Sequence, residues 1–200
     1  MKITAITVQK RRKDRYSIYL NGKYAVSLSE SELLDAGLRV GDEVDESALK
    51  KLEDQSDFGK ALDRTYNFLS YRDRSRKEIV TYLRGKQYED EQIDQIVDRL
   101  TTQGFIDDDR FARNWTRNRQ EFDNKSLRQV KAELIQKGID ATTIEIIFSS
   151  DEIESEHAIV ARYIETKNLR RRYPDNQKLI QHLAGKGFRI DIIKAALEAA

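Results

Sequence analysis

The side chains best equipped for chemistry cluster in residues 69–77, where Arg72, Arg74, Arg76 and Lys77 gather around Tyr71. Arg170, Arg171 and Arg172 stand before Tyr173 in the same basic-plus-aromatic style, and residues 10–13 form a basic turn. Guanidinium and ammonium groups beside an aromatic ring can hold nucleic-acid phosphates. They serve an acidic protein surface equally well, setting encounter rate and orientation more than raw affinity. The plainer alternative for each cluster is a solvated loop between helices. Other chemistry is harder to find. Asp107, Asp108 and Asp109 lie between Gly104 and Phe111, where a helix cap and the dipole of the following helix account for them better than a metal does. His157 and His182 have no His or Cys partner at ligand spacing. Phe58-Gly59-Lys60 and Gly185-Lys186-Gly187 lack the spacing and the hydroxyl of a phosphate loop. Phe111, Trp115 and Phe122 read as one core face, and no nucleophile stands beside a base. The sequence offers no enzyme, cofactor or metal.

Composition narrows the setting. Of 200 residues, 38% are apolar and 36% charged, against roughly 45–50% and 25% in an average domain. Such a chain suits an elongated assembly of small helical modules better than one large spherical core. The absence of cysteine removes disulfides, thiolate catalysis and sulfur-ligated zinc. No run approaches the ~20 apolar residues of a membrane span, and residues 1–20 are charged rather than signal-like. A soluble, cytoplasmic protein is expected.

Two kinds of element must position the basic clusters. Residues 1–55 read as a β-rich module: Ile3, Ile6 and Val8, then Tyr16, Ile18 and Leu20, then Tyr24, Val26 and Leu28 form partly alternating runs. Asn21-Gly22 between the second and third tolerates the two positive φ angles of a type I′ turn. A short helix begins near Ser29 and is broken by Gly37 and Gly41, and a separate helix is expected over residues 46–54. From Phe58 onward the apolar spacing is helical and the chain repeats. Leu83, Leu134 and Leu183 superpose at offsets of 51 and 49 residues. With them align Ile79, Val130 and Leu179; Lys86, Lys137 and Lys186; Tyr88, Ile139 and Phe188; Ile93, Ile144 and Ile193; and Val97, Phe148 and Leu197. The fold class expected is mainly α, three tandem three-helix repeats (58–109, 110–153 and 154–200) in an elongated array behind the β-rich module. Ser75 with Glu78, and Ser126 with Gln129, have the spacing of capping boxes. Gly138 and Gly187 stand where a left-handed residue closes a helix. The matching Gln87 would carry on the order of 1 kcal/mol of strain in that conformation.

The net charge of +1 conceals a periodic pattern. Residues 60–86 and residues 110–137 each hold 8 Lys/Arg against 3 Asp/Glu, and residues 162–189 hold 8 against 2. Between them, residues 89–109 hold 8 acids and one base, and residues 140–156 hold 6 acids and none. Intramolecular pairing explains this as readily as a face that addresses a periodic partner. Exposed pairs contribute only ~0–1 kcal/mol each, a weak reason for such regularity.

The run Leu69-Ser-Tyr-Arg-Asp-Arg-Ser75 with Glu78 and Leu83 resembles the RecX regulators of the RecA recombinase. The resemblance continues through Gly104, Asp107, Asp108, Arg110, Phe111, Ala112 and Arg119, then Glu133, Leu134, Lys137, Gly138 and Ile139. It spans about residues 58–200, most clearly the first two repeats, and the β-rich start is similar to an extension found in some members. Gln87, where the family usually has Gly, and a divergent third repeat with Pro174 depart from the pattern. The resemblance implies a non-enzymatic, monomeric protein, active in DNA repair and the SOS response. It would bind along the groove of the RecA–DNA filament and restrain filament growth, ATP hydrolysis, strand exchange and co-protease activity, with weak direct DNA contact possible. From charge and loop placement, the expected contact residues are Arg72, Arg74, Arg76, Lys77, Arg117, Arg119, Arg128, Lys131, Arg170, Arg171 and Arg172. The alternative is a direct nucleic-acid binder built of stacked helix-turn-helix-like units.

Overall fold

The computed structural model describes residues 1–10 and 12–198. Arg11 of the basic turn lies outside the described residues. The chain divides into two compact units, one of residues 1–72 and 82–99, the other of residues 73–81 and 100–200.

The first unit opens with an antiparallel sheet of β1 (Ile3–Val8), β2 (Arg15–Leu20) and β3 (Lys23–Ser29), paired in that order. Asn21 (φ 48°) and Gly22 (φ 81°) make the turn between β2 and β3, as their types foretell. Ile3, Ile18, Leu20, Val26 and Leu28 pack under the sheet with Val44 and Leu52. Helix α1 (Glu30–Ala36) starts with a capping box of Ser29 and Glu32 and ends at left-handed Gly37.

The helix expected over residues 46–54 is not separate. It runs through residues 55–57 into the helix that begins the first repeat, giving one 24-residue α2 (Glu46–Leu69). Nothing there breaks a helix, and tertiary contacts hold the middle. Ser56 is buried and donates to the Ser27 carbonyl (2.6 Å), and Asp63 receives the buried Arg15 guanidinium (3.1 Å). Gly59 lets α2 pass the Glu32 carboxylate, since a Cβ there would sit 1.9 Å from its Oε1.

Then follow α3 (Arg76–Arg84) and α4 (Asp90–Thr102); α5 (Asp108–Glu121), α6 (Leu127–Gln136) and α7 (Ala141–Phe148); and α8 (Glu156–Thr166), α9 (Leu169–Arg172), α10 (Asn176–Gly185) and α11 (Ile190–Glu198). Aligned columns of the repeat are buried in every copy: Ile79, Val130 and Leu179; Leu83, Leu134 and Leu183; Ile93, Ile144 and Ile193. The second repeat closes its own core around Phe111, Val130, Leu134, Ile144 and Ile147, and the third around Ile159, Leu179, Leu183, Phe188 and Ile193.

The third repeat departs from three helices by the single turn of α9. Asn168 (φ 49°) ends α8 in a left-handed conformation, Leu169 is buried, and the chain becomes extended at Tyr173 before Pro174. Phe122 corrects a sequence expectation. Phe111 is buried and Trp115 stacks on it at 5.6 Å, whereas Phe122 is 72% exposed. Its backbone is still helical, with the amide bonded to the Asn118 carbonyl, so it keeps the face its spacing assigned but stands at the end of α5, where that face no longer meets the core.

Candidate partner-binding surface

Both capping boxes form. Ser75 accepts from the Glu78 amide and Ser126 from the Gln129 amide, each at 3.3 Å, with the Glu78 and Gln129 side chains returning to the serine amides. The hydroxyls do a second job that no sequence spacing reveals. Ser75 donates to the Lys137 carbonyl (2.7 Å) and Ser126 to the Lys186 carbonyl (2.9 Å), so each cap clasps the end of the next repeat's middle helix. The first amide of each capped helix also finds a distant carboxylate. Arg76 N donates to Asp108 (2.8 Å) and Leu127 N to Glu156 (2.7 Å). Asp108, expected only as part of a cap, is thus half of an inter-repeat joint, while Asp107 caps α5 by accepting from the Arg110 amide. Burial pushes both Asp108 and Glu156 above the usual carboxylate range, against the pull of the amides they accept from.

These joints fix the two cations that follow. Lys77 and Arg128 occupy the same repeat position, 51 residues apart, in the first turns of α3 and α6. Their stems lie against Gly138 and Gly187, and both side chains are exposed. Neither has an ion pair to a carboxylate among the described residues. Arg72 and Arg76 are exposed and Arg74 is half-buried.

The second repeat's other cations are engaged internally. The Arg119 guanidinium lies 4.2 Å from the Trp115 ring centre and bonds to Glu133 (3.0 Å) and Asp123 (2.7 Å). Glu133 also receives Trp115 Nε1 (2.8 Å) and the Lys125 ammonium, and the Lys137 ammonium stands 4.4 Å from the same ring centre. Burial tends to raise the Glu133 pKa, but the bonds from Lys125 and Trp115 and the charges of Lys125 and Arg119 outweigh it, leaving the group below its ordinary value. Arg117 pairs with Glu152 (3.7 Å) and Lys131 with Glu145. The sequence candidates Arg117, Arg119 and Lys131 thus each have an acidic partner within the chain.

Arg170, Arg171 and Arg172 are exposed on α9. Arg170 donates to the Leu197 carbonyl (3.0 Å), and Arg172 stands 5.7 Å from the ring centre of Tyr173, which stacks on His182 at 4.8 Å. Burial first, then the charges of Lys186 and Arg172, lower the His182 pKa. Among the described residues no group of His, Asp or Glu is arranged to hold a metal ion, and no helix is long and apolar enough to cross a membrane.

Comparison with known proteins places these features in a family. Residues 1–45 match the family model described as the regulatory protein RecX N-terminal domain. Residues 61–100 and 107–146 match the first and second three-helix domains of RecX. Regulatory protein RecX of Oceanobacillus iheyensis is 32% identical over 206 residues, covering 98% of this chain and 76% of that protein. The Listeria monocytogenes protein of the same name is 33% identical over 204 residues, covering 100% and 76%. A crystal structure of regulatory protein RecX superposes with a TM-score of 0.77 at 30% identity over 98% of each chain. That of RecX from Lactobacillus salivarius gives 0.63 at 28% identity, over 72% of this chain and 96% of the other.

Proposed function

The chain belongs to the RecX family of regulatory proteins, and we propose that it restrains the RecA recombinase by lodging in the groove of the RecA–DNA filament. In this reading it is a cytoplasmic, non-enzymatic monomer of the DNA-repair and SOS machinery. It limits filament growth, ATP hydrolysis, strand exchange and co-protease activity. The repeats at 58–109, 110–153 and 154–200 are its contact units. The observation that carries the reading is the matched pair Lys77 and Arg128, exposed, without an ion pair among the described residues, and held at one position of successive repeats. A ligand with its own subunit repeat can meet both, and linked weak contacts then gain from effective concentration.

The test titrates the chain into a RecA ATPase assay on single-stranded DNA, beside a DNA-only binding control. Wild-type protein is expected to inhibit. Lys77→Glu with Arg128→Glu is expected to weaken inhibition roughly tenfold or more, since each reversal sets repulsion where attraction was. Both positions lie in a helix's first turn, where an acid is tolerated, so circular dichroism should be unchanged. Full inhibition by the folded double variant overturns the role of this pair. A wild-type protein that leaves RecA unaffected but binds DNA alone with a steep salt dependence would replace the reading with direct nucleic-acid binding.

A further inference from the structure

Two large aromatic side chains are left in water at the same place in successive repeats. Tyr71 stands four residues before the capping Ser75, and Phe122 four residues before the capping Ser126. They are 83% and 72% exposed. One exposed aromatic on a surface needs no explanation. Two at one repeat position do, because the aligned apolar columns of these repeats are otherwise turned inward. In the third repeat α9 occupies the stretch, and the residue four before the capping Asp175 is Arg171.

The turn that carries Phe122 is held firmly although its ring is not. Asn124 adopts φ 49°, its Oδ1 accepts from Arg162 Nε (3.1 Å), and Arg162 also bonds to the Gln120 carbonyl (2.8 Å). The Lys125 amide returns to the Arg119 carbonyl (3.1 Å). A side chain offered from a pre-ordered backbone loses little further freedom when it binds.

The charges nearest Phe122 in sequence indicate the kind of partner. Arg119 and Lys125 are committed to Asp123 and Glu133, so the cations flanking this ring are already neutralised. Stacking on a nucleic-acid base needs a positive track for the backbone beside the ring. Phe122, a ring among cancelled charges, suits an apolar socket in a protein, the arrangement typical of aromatic hot spots, whereas Tyr71 stands beside Arg72 and Arg74 and is joined to it by repeat position and exposure alone.

We propose that Tyr71 and Phe122 are the apolar anchors by which the first two repeats dock into equivalent sockets of a polymeric protein partner. The inference rests on the filament reading above and adds to it. The basic residues steer the approach, and the rings hold the complex. Such sockets would lie on the protein subunits of the filament rather than on its DNA.

The experiment uses the full chain and RecA filaments assembled on single-stranded DNA with a slowly hydrolysed ATP analogue, with the same DNA alone in parallel. Tyr71→Ala and Phe122→Ala are each expected to weaken filament binding at least about tenfold, mostly through faster dissociation, and the double variant further. Tyr71→Phe should keep most of the affinity. Melting temperature and the salt dependence of binding should not change, whereas Lys77→Glu with Arg128→Glu should alter the salt dependence. Undiminished filament binding by the double alanine variant, with wild-type inhibition intact, overturns the anchors and leaves the filament reading standing. An equal loss on DNA alone overturns them in favour of base stacking. Failure of the wild-type chain to bind filaments removes both.

Discussion

The two joints of the second unit are built on one plan with different charges. In each, a buried serine caps a helix and reaches the carbonyl of a lysine, a backbone amide finds a half-buried carboxylate, and a basic stem lies along a glycine. At the first joint Glu78 adds an ion pair to Lys137 (2.8 Å), both side chains being 19% exposed. At the second the matching residue is Gln129, which has no charge to offer. What the two share is backbone accounting: helix ends leave amides and carbonyls that must be satisfied when buried. The ion pair is an addition that one joint does without.

The glycines provide the most disruptive test of this shared plan. A Cβ on Gly138 would lie 2.7 Å from Lys77 Cβ, and one on Gly187 2.7 Å from Ser126 Oγ, both on a backbone of strongly positive φ. Either alanine should cost about 2–4 kcal/mol by chemical denaturation, from left-handed strain together with overpacking. Gly138→Ala should be the worse, because a Cβ beside a helix backbone cannot swing away as a hydroxyl can. Gln87, at φ 64°, carries only the conformational part. Gln87→Gly should therefore change stability by no more than about 1 kcal/mol. A large gain or loss there would mean that the three positions are not equivalent.

A smaller effect is expected at the caps. Ser75→Ala and Ser126→Ala each remove an acceptor from a helix start and a donor from a partly buried bond to a lysine carbonyl, and should cost about 1–3 kcal/mol apiece. Glu78→Gln, which gives the first joint the neutral chemistry of the second, should cost under about 1 kcal/mol. If Glu78→Gln proved as damaging as Ser75→Ala, the ion pair rather than the hydroxyl would be the clasp.

The weakest signal is a pH dependence. Asp108 holds its proton to higher pH folded than unfolded, so its contribution to stability is greatest below the unfolded value of about 4 and declines as pH rises through the folded one. Asp108→Asn removes that decline. Denaturation of both proteins across this window should show the variant gaining on wild type as pH rises, and Glu156→Gln should behave likewise. A variant that gains stability relative to wild type as pH rises fits this sign, whereas a wild type that gains on the variant as pH rises would mean that the amide bond, not burial, governs the carboxylate.

Much of the molecule is written in local order. Asn21 and Gly22, the serine caps, the left-handed glycines and the buried leucine columns all follow from rules that act within a few residues or within one helical period. Ser75, Leu83, Leu134 and Gly138 belong both to these rules and to the family resemblance, so the repeats and their kinship were legible together. The second bond of Ser75, the reach of Asp108 to Arg76, the unbroken α2 and the exposure of Phe122 were not. The first three depend on which surface arrives opposite a side chain from about 30 to 60 residues away, information that periodicity does not carry. Charge shows the division most plainly. Composition and spacing set eight cations against three acids in residues 60–86 and again in residues 110–137, but only the packed structure determines that Arg119 is spent on Glu133 while Lys77 and Arg128 face water. An ion pair is decided by distance and burial, and both belong to the tertiary fold.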